Sequence, residues 1–275
     1  MKRHLAFILY LAFTSLIAAP MAAQDYHVQH YTVASGLSDN HVTDVHQDAF
    51  GYLWVSTAHG LNLYNGHEFK IFRYDPEDSF SIRANSLHRL YEDPDSNIWV
   101  SLSVGGVSKY DRYEDRFYYY NANPNRGQDP NNFVQVLITD RRKRTWVGTS
   151  THINLLDEQA GIYRPVDIEG QEEVHVYNVF EDARSNVWIG TAKGLFRLNE
   201  QKGVFQEFKD DKGQSLLELV DFKEDHEGNL WAASSHKVFM LNGEHAKALP
   251  TPANRYITSL FLAGDGQLYI SLYED

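Results

Sequence analysis

Short apolar runs separated by polar turns recur along this chain with one period. A β-rich run such as Val42–His46, Leu87–Glu92 or Val176–Glu181 leads into a polar turn. The next run carries a tryptophan with apolar neighbours on both sides, the pattern of a strand buried on both faces. A third run follows at Leu61–Tyr64, Gly106–Tyr110, Ile153–Leu156, Leu195–Leu198 and Val238–Leu241. A fourth is seen at Phe69–Phe72, Phe117–Tyr120, Ile162–Val166 and Val204–Phe208. No stretch of a dozen residues carries the helical period, so a helical repeat array is excluded.

The columns of this repeat align around its tryptophans, Trp54, Trp99, Trp146, Trp188 and Trp231, which are 45, 47, 42 and 43 residues apart. Tyr269 takes the same place 38 residues further on, in the frame Asp265-Gly266-Gln267-Leu268-Tyr269-Ile270-Ser271. Six residues before each tryptophan stands an aspartate: Asp48, Asp93, Asp140, Asp182 and Asp225. Three before it come Gly51, Ser96, Lys143, Ser185 and Gly228, so the stretch reads as a tight turn whose side chains bond their own backbone. Two after it all are small (Ser56, Ser101, Gly148, Gly190 and Ala233), which lets another backbone come close.

Four strands in about forty-five residues make propeller blades. The expected fold class is all-β: a β-propeller of four-stranded blades, five complete plus a partial sixth, part of a seven-bladed ring. Blades are expected at about 40–75, 86–121, 132–167, 174–209, 216–250 and 256–275, within a partial propeller over 24–275. Residues 26–32 resemble an outer strand and are expected to close the ring by pairing with strands downstream. Each tryptophan is expected to pack between adjacent blades.

Composition narrows the setting. The net charge is −12, and losing Lys2 and Arg3 with a leader would take it to −14. That field repels phosphate backbones and anionic lipid, so nucleic acid and membrane surfaces are not expected partners. The chain has no cysteine, which removes disulfides and thiolate sites. Lys2, Arg3 and His4 precede a fifteen-residue charge-free run, Leu5–Ala19, and small residues at Ala22 and Ala23. This reads as a signal-peptide helix over residues 1–23, too short for an ordinary span. A retained N-terminal anchor is the alternative. Periplasmic localisation follows from that reading.

Gly36-Leu37-Ser38-Asp39-Asn40, Val42, Asp48, Gly51, Leu53-Trp54-Val55-Ser56-Thr57, Gly60-Leu61-Asn62 and Tyr64-Asn65-Gly66 with Phe69 resemble the two-component regulator propeller repeat. Asp182-Ala183-Arg184-Ser185-Asn186-Val187-Trp188-Ile189-Gly190-Thr191 with Gly194-Leu195 is similar. The third blade departs from the pattern at Arg142-Lys143-Arg144 and His152-Ile153, and the fifth at Lys237-Val238. The resemblance implies the periplasmic sensor region of a hybrid histidine kinase or diguanylate cyclase. In such proteins a β-sandwich, a membrane helix and a cytoplasmic output module follow. The chain reaches Asp275 inside a blade, and the expectation is a fragment of an inner-membrane protein whose later parts lie beyond it.

The candidate chemistry is sparse. Asp93-Pro94-Asp95-Ser96-Asn97 has alternating oxygens like the start of a calcium loop, but the glycine and distant glutamate of that motif are missing. Repeating acidic turns also resemble the Asp boxes of sialidases, yet none of the 17 tyrosines is singled out as a nucleophile. No catalytic residue, metal site or cofactor is expected, and no nucleophile elbow is legible. Loops after the tryptophan strand and loops between blades are expected to share one mouth of the channel. His59, His152, Lys193 and His236 lie in the first set, and Arg83, Arg126 and Arg255 in the second. Together they are candidate ligands for an anionic sugar or a carboxylate.

The leading expectation is thus a ligand-sensing propeller whose partners are a small molecule or oligosaccharide and the downstream modules, with a homodimer as a further possibility. The alternatives are a secreted propeller hydrolase or lyase acting on polysaccharide, and a protein-interaction scaffold.

Overall fold

The computed structural model describes residues 28–121, 133–242, 245–251, 255–264 and 266–273. The leader expected over residues 1–23 lies outside the described residues, as does Arg126. Thr32–Asp275 forms one unit, and Val28–Tyr31 carries no strand.

The repeat folds as five four-stranded antiparallel sheets and a two-stranded one. The first blade is β1 (Val42–Gln47), β2 (Leu53–Thr57), β3 (Gly60–Tyr64) and β4 (Phe69–Phe72). The second is β5 (Leu87–Glu92), β6 (Ile98–Leu102), β7 (Val107–Asp111) and β8 (Arg116–Tyr120). The third is β9 (Val134–Thr139), β10 (Thr145–Thr149), β11 (Ile153–Asp157) and β12 (Ile162–Pro165). The fourth is β13 (Val176–Glu181), β14 (Val187–Thr191), β15 (Gly194–Asn199) and β16 (Val204–Phe208). The fifth is β17 (Leu219–Glu224), β18 (Leu230–Ser234), β19 (Val238–Asn242) and β20 (His245–Leu249), and the last pair is β21 (Tyr256–Leu262) with β22 (Leu268–Tyr273). In each four-stranded sheet the strands pair in chain order, and the first strands of successive sheets are neighbours. That is the all-β propeller architecture. The described residues contain no α-helix, only a 3₁₀ turn at Val33–Ser35.

The tryptophan column is the seam between blades. Trp54 packs with Leu87, Leu90, Tyr110 and Phe117 of the second blade. Trp99 packs with Val134, Leu137 and Tyr163 of the third, Trp146 with Val176, Val179 and Phe205 of the fourth, and Trp188 with Leu219, Phe222 and Phe239 of the fifth. Trp231, only partly buried, lies against the cluster holding Ile257 and Leu260. Small residues two places on make room for this packing. A Cβ on Gly190 would sit 2.8 Å from Phe222 and 3.2 Å from the Leu219 carbonyl of the next blade.

Each aspartate of the repeat ties its indole to the turn that precedes it. The tryptophan Nε1 donates to the aspartate Oδ2 at 2.8–2.9 Å in all five blades. The Oδ1 accepts the backbone N–H groups two and four residues on, at 2.8–3.0 Å. The residue three places on is left-handed in every copy, Gly51 at φ +87° and Ser96, Lys143 and Ser185 at +61° to +63°. In the sixth copy the turn closes from Gly266 N–H to the Ala263 carbonyl. Ala263 therefore takes the aspartate's place, and Tyr269 stands half exposed without that lock.

A second set of bonds joins consecutive blades. The N–H after the turn aspartate donates to the glutamate that ends the first strand of the next blade. Ala49 donates to Glu92 (3.0 Å), Arg141 to Glu181 (2.9 Å) and Ala183 to Glu224 (2.8 Å). At the second seam both partners change together. Pro94 has no N–H to give, and Thr139 stands where the glutamate would be. Glu224→Ala is expected to lower the urea midpoint by the equivalent of about 0.5–1.5 kcal/mol. Thr139→Glu alone is expected to add nothing, because its partner donor does not exist.

The blade edges are covered by the connections between blades. Phe117 N–H donates to the Phe80 carbonyl, Tyr163 N–H to Asn121, and Phe205 N–H to Asp167. Each connection thus lies along the outer strand of the blade it enters and occupies part of an otherwise open edge.

Candidate functional site: the loop-lined mouth

Because the strands alternate in direction, the loop between second and third strands and the connection between blades emerge at the same face. Backbone bonds join them there. Ala58 N–H donates to the His41 carbonyl, Ser103 to Ser86, Val174 to Thr151, Ala192 to His175, and Ile257 to Ser235. The first strands begin at this rim and form the innermost layer.

The residues nominated from the sequence are placed on this face with different neighbours. His59 Nδ1 hydrogen-bonds Asp39 Oδ2. The His41 backbone N–H and then His59 hold the Asp39 carboxyl below the usual carboxylate range. His152 Nδ1 meets Thr151 Oγ1 at 2.9 Å beside a cleft of about 110 Å³. Lys193 Nζ donates to the Glu173 carbonyl at 3.2 Å. The His236 ring lies 4.8 Å from that of Tyr256. Arg255 is exposed, and Arg83 is exposed with its guanidinium over two tyrosine rings.

The structure adds residues that loop composition did not single out. The His88 ring lies 4.7 Å from Phe133, and that of His175 lies 4.6 Å from Tyr177. With His236 and Tyr256 these make three imidazole–aromatic pairs at the mouth ends of the inner strands. Burial, and then Arg89, lowers the His88 imidazole below its ordinary value, which favours its neutral form. Such pairs offer an apolar face for stacking beside a hydrogen-bonding nitrogen. The signal was available in one column. Seven residues before the turn residue of each copy (Asp48, Asp93, Asp140, Asp182, Asp225 and Ala263), at the start of the inner strand, stand His41, Ser86, Phe133, His175, Glu218 and Tyr256, a column that holds one member of each pair. No group of three or more His, Cys, Asp or Glu among the described residues is placed to hold a metal.

Away from the mouth, a cleft of about 770 Å³ on the fourth blade is lined by Glu169, Asn186, Arg197, Asn199, Gln206 and Glu207 among others. None of the sequence-nominated residues lines it. Its pointer is Arg197, directly across from Trp188 where three other blades place Leu63, Leu155 and Met240 across from their indoles.

The mouth is thus lined by the loops between second and third strands and by the connections between blades. The two-component regulator propeller family model matches residues 36–59, the first turn and the first two strands of the first blade. The chain carries a two-component regulator propeller repeat. Over 70 residues it is 46% identical to histidine kinase P4 of Formosa agariphila, spanning 25% of this chain and 5% of that protein. Among solved structures, the extracellular domain of a one-component system from B. thetaiotaomicron aligns with a TM-score of 0.65 and 19% identity. The alignment spans 90% of this chain and 36% of that one. A catalytically inactive virginiamycin B lyase from Staphylococcus aureus aligns with a TM-score of 0.63 at 13% identity, over 91% of this chain and 83% of the lyase. At these identities the likenesses establish the propeller fold, which sensors and lyases share.

Proposed function

We propose that this chain is the ligand-sensing propeller region of an exported signalling protein. A ligand at the loop-lined mouth would bias the packing of a following β-sandwich, and through a membrane helix the activity of a kinase or cyclase module. The observation that carries this reading is the two-component regulator propeller repeat at residues 36–59, folded as an ordinary blade among like blades. The rim of imidazole–aromatic pairs supports it by supplying polar and stacking contacts for a small molecule or an oligosaccharide.

Alkaline phosphatase fused after residue 275 tests the export half. The fusion is expected to be active in cells and to lose activity when residues 1–23 are removed. For the signalling half, excising one blade from the full-length gene is expected to abolish ligand-dependent output. A chain that stays in the cytoplasm, or one released to the medium that depolymerises polysaccharide, would overturn the proposal.

A further inference from the structure

The connection from the first blade to the second is built more rigidly than a linker requires. Ile82 and Ala84 are buried in the core cluster that holds Trp54, and Arg83 between them points outward. Upstream, Asp75 N–H donates to Ser81 Oγ at 3.0 Å, and that hydroxyl donates to the Asp75 carbonyl at 2.8 Å. Phe80 is fixed through its carbonyl to Phe117 of the outer strand. The segment is therefore held at both ends of the arginine.

Its guanidinium is held as well. The Arg83 Cζ lies 5.8 Å from the Tyr74 ring centroid and 5.9 Å from that of Tyr119. Tyr74 is anchored by its backbone N–H to Asn85 Oδ1 at 2.8 Å, and Tyr119 by its hydroxyl, which donates to the Gly105 carbonyl at 3.3 Å. Ring faces attract the cation without using its in-plane N–H donors. Among nearby cations, Lys70, Arg112 and Arg116 are paired with Asp115, Asp48 and Glu114, and Arg73 Nε donates to the His59 carbonyl at 3.3 Å. Arg83 is thus an exposed guanidinium with no carboxylate partner among the described residues, held against two ring faces in a chain of net charge −12.

We propose that Arg83, held by Tyr74 and Tyr119, is a carboxylate-recognition site on the loop face. Two parallel N–H donors in one plane match a planar carboxylate bidentately, whereas a tetrahedral oxyanion meets the fork less well. Asp75, Glu77 and Asp78 in the same connection oppose a polyanion, so the ligand is a monocarboxylate, such as an acidic sugar or a short organic acid. The site rests on the sensing reading for its purpose, but its chemistry is testable separately.

The test titrates the purified full chain with glucuronate, acetate, glucose and sulfate, following the Arg83 Nε–Hε resonance by ¹⁵N NMR. Glucuronate and acetate are expected to shift it saturably, and glucose to leave it in place. Arg83→Lys keeps the charge but loses the fork, and should weaken glucuronate binding by about fivefold or more with an unchanged melting temperature. Tyr74→Ala should weaken it several-fold by releasing the guanidinium. No saturable shift with either carboxylate would overturn the proposal. So would sulfate binding as tightly as glucuronate, or Arg83→Lys binding as well as the parent. Glucose shifting His88 or Tyr256 while both carboxylates leave Arg83 unmoved would sink this site and leave the sensing reading standing.

Discussion

Trp188→Ala is expected to lower the unfolding free energy by about 3–5 kcal/mol, read from urea denaturation followed by circular dichroism. Three losses add at this position. The indole is almost fully buried and meets Phe208 edge-to-face at 5.1 Å, so its removal leaves a cavity between the fourth and fifth blades. Its Nε1–H stops donating to Asp182, whose other bonds shape the turn. Arg197, 5.4 Å from the ring, loses the surface on which it rests. Trp231→Ala should cost less, because that ring is only partly buried. A Trp188→Ala protein melting within error of the parent would mean that the seam does not depend on its indole. Trp188→Phe separates the terms: it refills much of the cavity yet leaves the aspartate bond broken. An intermediate loss is the expected result.

The seam was legible because a propeller writes one residue per blade into the same column. The spacing of the tryptophans alone located five β2-type strands, and the aspartates six residues before them located the turns. What the columns did not reveal is that the two are bonded to each other. Sequence spacing cannot show that the Asp side chain reaches across the hairpin to the indole nitrogen. The mouth was less legible for another physical reason. Loop imidazole, ammonium and guanidinium groups are candidates because they are polar, but polarity does not distinguish a group already engaged within the fold from one left for a ligand. His59 is engaged by Asp39 and Lys193 by a backbone carbonyl. The aromatic partners of His88, His175 and His236 are Phe133, Tyr177 and Tyr256, at or next to the starts of inner strands, where the strand pattern alone does not mark a residue for a ligand. The likeness to a lyase has the same lesson at the level of the fold, since ring and blades carry no chemistry without a site.

The turn aspartates also explain a departure in the first blade, and with it the second large effect. In the second, fourth and fifth blades the residue four places after the aspartate is Asn97, Asn186 or Asn229, and its amide donates to the aspartate Oδ2 at 2.8–3.0 Å. In the third blade it is Arg144, whose Nε does the same at 2.7 Å. In the first blade the position holds Tyr52, which makes no such bond, and a donor arrives from the next blade instead. Arg112 Nη2 donates to Asp48 Oδ2 at 2.5 Å, and the Arg112 Cζ lies 4.5 Å from the Phe50 ring centroid. Burial alone would raise the Asp48 carboxyl, but the indole of Trp54, Arg112 and the Tyr52 N–H outweigh it and hold the group below the usual range. Arg112→Ala removes a charged donor from a side chain with no solvent access, and a loss of about 1.5–3 kcal/mol is expected. A carboxyl depressed in the folded state contributes stability above its unfolded value, and that stability is lost as pH falls through the folded one. Without Arg112 the folded value moves up toward the unfolded value, so the acid limb of the pH–stability curve should move to higher pH. Tyr52→Asn in the Arg112→Ala background restores the amide that the other blades use, and should recover part of both the stability and the acid limb. The same Tyr52→Asn change in the parent should gain little, because Oδ2 is already served. If the double variant is no more stable than Arg112→Ala, then Arg112 matters through its stacking on Phe50 and Tyr52 and not as the missing donor of the first turn.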